Sequence, residues 1–112
     1  MSNIKIFRAN RGEGKTRWLV ARAKGCAEMG HSLYYVGSDR GYRNVKRVYE
    51  AIYGEICPIK DKDMDDIMMS LNPCFFTDEL MVDMKYVEPY RSYISDHGFP
   101  WYITMDQEDF VD

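Results

Sequence analysis

No apolar run in this 112-residue chain approaches the ~20 residues that a membrane-spanning helix requires, so no membrane span is expected. Lys5, Arg8 and Arg11 interrupt the only region placed like a secretory leader. Cysteine is scarce: Cys26, Cys57 and Cys74 are odd in number and have no C-x-x-C spacing. That argues against a disulfide framework or a zinc site and for buried free thiols in a reducing cytoplasm. Internal repeats and low-complexity linkers are also missing, which leaves one domain spanning residues 1–112.

Charge is present but unevenly spread. Residues 1–60 carry 12 Lys/Arg against 5 Asp/Glu, while residues 61–112 carry 3 against 13, for a net charge of −3. A basic half attracts phosphate, whether of a nucleotide or of a nucleic acid.

Apolar patterning alternates strand and helix. Residues 4–7 read as a short buried strand, and residues 15–29 as a helix with Trp18, Leu19, Ala21, Ala23, Ala27 and Met29 in a loose stripe, stopped by Gly30. Residues 33–36 read as a second strand. Val45, Val48, Tyr49 and Ile52 then recur at helical spacing before Gly54. An acidic helix is expected over residues 63–71 and a third strand over 74–77. A helix starting at Glu88-Pro89 and ending at His97-Gly98 follows. The fourth strand covers 101–105, before an acidic tail, 106–112. This order predicts an α/β fold, a three-layer sandwich around a small, mainly parallel sheet of about four strands. The polar signals then collect at the carboxyl ends of the strands, where such sheets form their crevice.

The first of those signals is Ala9-Asn10-Arg11-Gly12-Glu13-Gly14-Lys15-Thr16. It fits the phosphate-loop pattern G-x-x-x-x-G-K-[ST], with Ala9 in place of the first glycine. Gly12 and Gly14 let successive N–H groups curl around an anion, and the following helix adds its positive dipole end. Lys15 supplies a charge for the β- and γ-phosphates, and the Thr16 hydroxyl is a ligand for Mg²⁺. Asn10, Arg11, Gly12, Glu13, Gly14, Lys15, Thr16 and Arg17 are therefore the expected nucleotide-binding residues.

The second signal is the apolar strand Pro73-Cys74-Phe75-Phe76-Thr77 ending in Asp78-Glu79. It resembles the Walker B motif of P-loop NTPases, in the additional-strand branch that carries a catalytic glutamate (RecA, FtsK–HerA and terminase types). The resemblance implies that Asp78 supports Mg²⁺ beside Thr16 and that Glu79 activates the attacking water. Trp101-Tyr102-Ile103-Thr104-Met105-Asp106-Gln107 resembles the sensor strand of the same branch, which implies a role for Thr104 or Gln107 near the γ-phosphate. Arg11-Gly12-Glu13-Gly14-Lys15-Thr16 resembles the loops of viral DNA-packaging motors, and the run from Asp78-Glu79 to Gln107 resembles phage assembly and DNA-pumping ATPases.

What the resemblance implies is a minimal, phage-type ATPase core. It would bind Mg-ATP and hydrolyse it in support of DNA packaging, translocation or virion assembly, as a homo-oligomer or with a larger protein partner. ATP is the family default, since no guanine-selective N-K-x-D occurs. A charge-stabilising arginine is sought among Arg40, Arg43, Arg47 and Arg91. Arg40, Arg43, Lys46 and Arg47, with Tyr42 available for stacking, also form a basic patch suited to sequence-independent DNA contact. Two other readings fit the same motifs. One is a nucleotide-dependent binding module with little hydrolysis, and the other a nucleoside-type kinase similar to thymidine kinases, whose zinc-bearing segment has no cysteine pair here.

Overall fold

The computed structural model describes residues 3–107, so most of the acidic tail lies outside the described residues. Five strands form one sheet: β1 (Ile4–Ala9), β2 (Ser32–Tyr35), β3 (Ile59–Asp61), β4 (Pro73–Thr77) and β5 (Trp101–Asp106). They are ordered β1-β5-β4-β2-β3, and every neighbouring pair is parallel. The helices between them are α1 (Lys15–Glu28), α2 (Asp39–Tyr53), α3 (Met64–Met69) and α4 (Leu80–His97).

Helices pack on both faces of the sheet, and alternate strand residues serve the two sides; β1, an edge strand, is not the buried strand expected, since Ile4 and Ile6 are exposed and only Ala9 is buried. Leu33, Tyr35, Cys74 and Phe76 pack with Leu19, Val20, Ala23 and Cys26 of α1 and with Val45 and Tyr49 of α2. On the other face Tyr34, Val36, Phe75, Trp101, Ile103 and Met105 pack with Ile67 of α3 and with Val87 and Ile94 of α4. All five residues of β4 are buried, as befits the middle strand. Cys26, Cys57 and Cys74 are buried free thiols. Among the described residues no helix is long and apolar enough to cross a membrane.

Two differences from the sequence expectation have physical causes. The sheet has five strands rather than four, because β3 is a three-residue edge strand whose only deeply buried side chain is Ile59. Three residues are too few to display a period. Helix α4 begins at Leu80, not at Glu88-Pro89, and Pro89 sits inside it. A proline there forfeits one helical hydrogen bond, but Val87 and Ile94 are each buried against the sheet on either side of it, so packing holds the helix through the proline.

Candidate functional site: a glycine-bearing loop facing two carboxylates

β1 ends at Ala9, which lies level with Asp106 of β5 in the sheet register. Ala9 is buried and takes no positive φ, so the position demands no glycine and alanine serves. The chain then turns, with Glu13 N–H donating to Asn10 O at 3.1 Å and Asn10 N–H donating to the Glu13 carboxylate at 2.5 Å. Gly12 and Gly14 have φ of 82° and 85°, and a Cβ at either would meet nothing within 4 Å. Glycine is required here by backbone conformation alone.

Lys15, the first residue of α1, is only 5 % exposed. Its ammonium lies 2.6 Å from Asp106 Oδ1 and 3.5 Å from Glu79 Oε1, and donates to Asn10 O at 3.4 Å. Burial opposes the charge, but the Asp106 and Glu79 carboxylates outweigh it and raise the Lys15 pKa above its ordinary value.

Next to it, Thr16 Oγ1 donates to Asp78 Oδ2 at 2.8 Å. The other Asp78 oxygen accepts from Thr104 Oγ1 at 2.5 Å, and Thr104 Oγ1 in turn accepts from Glu79 N–H at 2.9 Å. The order β1-β5-β4 makes this chain possible, because β5 lies between the loop strand and the carboxylate strand and brings Thr104 to Asp78. The Thr104 hydroxyl is therefore committed to Asp78 and Glu79, and Gln107 is exposed beyond the end of β5.

Glu79 is the single non-glycine residue with positive φ among the described residues, at 56°. This left-handed conformation costs about 1–2 kcal/mol and marks a residue held by its surroundings. It turns the chain from β4 into α4. Burial, then the charges of Asp106 and Asp78, raise the Glu79 pKa against the opposing pull of Lys15. A carboxyl raised in this way is a stronger base once ionised.

A second buried network supports the first. Tyr35 Oη donates to Asp83 Oδ2 at 2.9 Å and accepts from Asp78 N–H at 3.2 Å, while Ser38 N–H also donates to Asp83 Oδ2 at 2.9 Å. Burial first, and then the Asp83 charge, pushes the Tyr35 phenol above its ordinary pKa. A Cβ on Gly41 would collide with both the Tyr35 hydroxyl and the Asp83 carboxylate. Residues from β2, α2, β4 and α4 are thus locked together directly behind Asp78.

Above these groups opens a cleft of about 770 Å³. Asp78, Glu79, Asp83 and Asp106 form its floor, Arg11 of the loop lines one side, and Arg40, Arg43, Asn44 and Arg47 of α2 line another. Of the expected nucleotide-binding residues only Arg11 lines this cleft; Asn10, Gly12, Glu13, Gly14, Lys15 and Thr16 do not, Arg17 is exposed on the first turn of α1, and Lys46 also lies outside the cleft. Arg91 pairs with Glu88 at 3.0 Å and lines a separate apolar groove beside β1. Tyr42 offers no stacking face, contrary to expectation: it is half-buried, its hydroxyl donates to Ile59 O at 2.9 Å, and its ring packs 6.1 Å from that of Tyr35.

The sequence reading missed Asp106, Asp83 and Tyr35. Asp106 stands at the start of the expected acidic tail and Tyr35 within the expected second strand, residues 33–36. The chain matches no model of a known protein family, no curated protein and no solved structure.

Proposed function

We propose that this chain is a P-loop nucleotide hydrolase that binds Mg-ATP on residues 10–17 and hydrolyses it with Glu79 as the base. The observation that carries this reading is the bond from Thr16 to Asp78 across 62 residues of sequence. It brings the hydroxyl of the phosphate-loop pattern to the carboxylate of the strand-end pair. The position of β5 between β1 and β4 also suits the additional-strand branch. As in the sequence expectation, the work served is DNA handling or virion assembly.

Each residue then has a task that its surroundings support. The loop N–H groups and the start of α1 receive phosphate oxygens. Lys15, already protonated and paired with carboxylates, exchanges those partners for the β- and γ-phosphates. Thr16 Oγ1 and Asp78 are adjacent hard-oxygen donors that fit Mg²⁺, which keeps several waters and binds few protein groups. When bound, that ion would neutralise charge on the phosphates. Glu79 accepts a proton from water placed in line with the γ-phosphate. Thr104 is a positioning residue that fixes Asp78 and the Glu79 backbone in one hydrogen-bonded unit.

The ion pairs of Lys15 with Asp106 and Glu79 favour a second reading. A base tied to the loop lysine suits a module that binds nucleotide as a switching ligand and turns it over little. Glu79→Gln distinguishes the two. On the hydrolase reading this variant binds Mg-ATP like the wild type and releases phosphate about 10²- to 10⁴-fold more slowly. Equal turnover in both proteins removes Glu79 as the base, and no turnover in either, with and without DNA, supports the module.

A further inference from the structure

The α2 wall of the cleft carries a row of cationic side chains. Arg40, Arg43, Asn44 and Arg47 fall at i, i+3, i+4 and i+7, so they share one helix face, and all four line the cleft. Val45 and Tyr49 face the core from the opposite side. Among the described residues Arg40 and Arg43 make no hydrogen bond or ion pair, and Arg47 donates to Asn44 at 2.7 Å. None of these arginines forms an ion pair with a carboxylate of the cleft among the described residues: Asp78 accepts from Thr16 and Thr104, Asp106 and Glu79 pair with Lys15, and Asp83 accepts from Tyr35 and the Ser38 N–H.

From Arg40 to Arg47 the stripe runs about 10 Å along the helix. One γ-phosphate has three free oxygens and cannot span it. Guanidinium forks without carboxylate partners are matched to phosphate oxygens, and a row of them is matched to consecutive phosphates. With Tyr42 packed away there is no aromatic platform, so the wall reads the backbone and not the bases.

We infer that the Arg40–Arg43–Arg47 face binds the phosphate backbone of a single nucleic-acid strand inside the cleft lined by Asp78 and Glu79. The strand therefore lies beside Glu79, and not on an outer surface of α2. That the strand adjoins a hydrolysing site rests on the nucleotide reading; the strand's binding to the wall does not.

The test is the affinity of nucleotide-free protein for a fluorescent oligothymidylate of about 12 nucleotides, measured against salt. Three arginine contacts contribute about −2 to the slope of log K against log salt, at roughly −0.7 per phosphate on a single strand. The triple variant Arg40→Gln/Arg43→Gln/Arg47→Gln is expected to lose that contribution and most of the affinity. Lys46→Gln, on the same helix but outside the cleft, is expected to keep the wild-type slope. Strand binding is measured without nucleotide or Mg²⁺, so that a failed nucleotide reading leaves this result standing. Inorganic pentaphosphate should displace the strand and thymidine monophosphate should not. The inference is overturned by absence of strand binding or by an unchanged slope in the triple variant. An equal loss in Lys46→Gln, or displacement by the monophosphate at similar concentration, also overturns it.

Discussion

On the floor of the cleft, Asp78 accepts from Thr16 and Thr104, Asp83 accepts from Tyr35 and Ser38, and Asp106 pairs with a lysine only 5 % exposed. On the α2 wall, Arg40, Arg43 and Arg47 are exposed, and only Arg47 has a bond among the described residues, to an asparagine. The same cleft thus has one surface whose polar groups are consumed by the fold and one whose polar groups are left over. Buried polar groups must be satisfied internally, since each one left unpaired costs roughly 1–3 kcal/mol. Exposed guanidiniums are satisfied by water and give it up to an anion. The floor is therefore rigid and structural as well as chemical, whereas the wall contributes to binding and little to stability.

Substitutions ranked by effect sharpen that contrast. Thr104→Val keeps the shape of the side chain but leaves an Asp78 oxygen and the Glu79 N–H unpaired. A loss of roughly 1–3 kcal/mol in denaturant unfolding is expected, together with a slower turnover. Gly41→Ala drives a methyl into the Tyr35–Asp83 pair, and overpacking of this kind costs about 1–3 kcal/mol. Because the collision is with a buried ring hydroxyl and not a flexible chain end, a neutral result there would mean that the network behind Asp78 is looser than described.

Glu79→Gly works in the opposite direction. It relieves about 1–2 kcal/mol of left-handed strain and forfeits about 0.5–1 kcal/mol through the freedom of unfolded glycine. A net gain of about 0 to 1.5 kcal/mol is expected, with turnover lost; a destabilised variant would show that the Glu79 side chain holds the fold. Smallest of all, Arg43→Gln on the wall should change stability by less than about 0.5 kcal/mol. A drop of the size expected for Thr104→Val would erase the distinction between the two surfaces.

These surfaces were not equally legible in the sequence. The glycine turn of Ala9–Thr16 and the strand end before Asp78-Glu79 depend on contiguous residues, and these two backbone features could be read directly. Four of the five strands were visible as apolar runs: β2, β4 and β5 because they are largely buried, and β1 although only its last residue, Ala9, is buried. The supporting residues were not visible, because their partners are assigned by strand order. Tyr35 and Asp83 are 48 residues apart, and nothing local to either one announces the other. Asp106 becomes a lysine partner only because β5 runs parallel to β1 and ends level with Ala9. The arginines of α2 were recognised as basic, but their place in the cleft follows from the helix rotation that buries Val45 and Tyr49.

The central proposal is that Lys15, Thr16 and Asp78 together bind a Mg-nucleotide. Calorimetric titration of ATP with and without Mg²⁺, into the wild type and Lys15→Ala, tests it most directly. The account predicts Mg-dependent binding to the wild type. In the variant it predicts a loss of roughly 2–5 kcal/mol, as for truncating one partner of a buried charge pair. Failure of the wild type to bind, or equal affinity in Lys15→Ala, would contradict it.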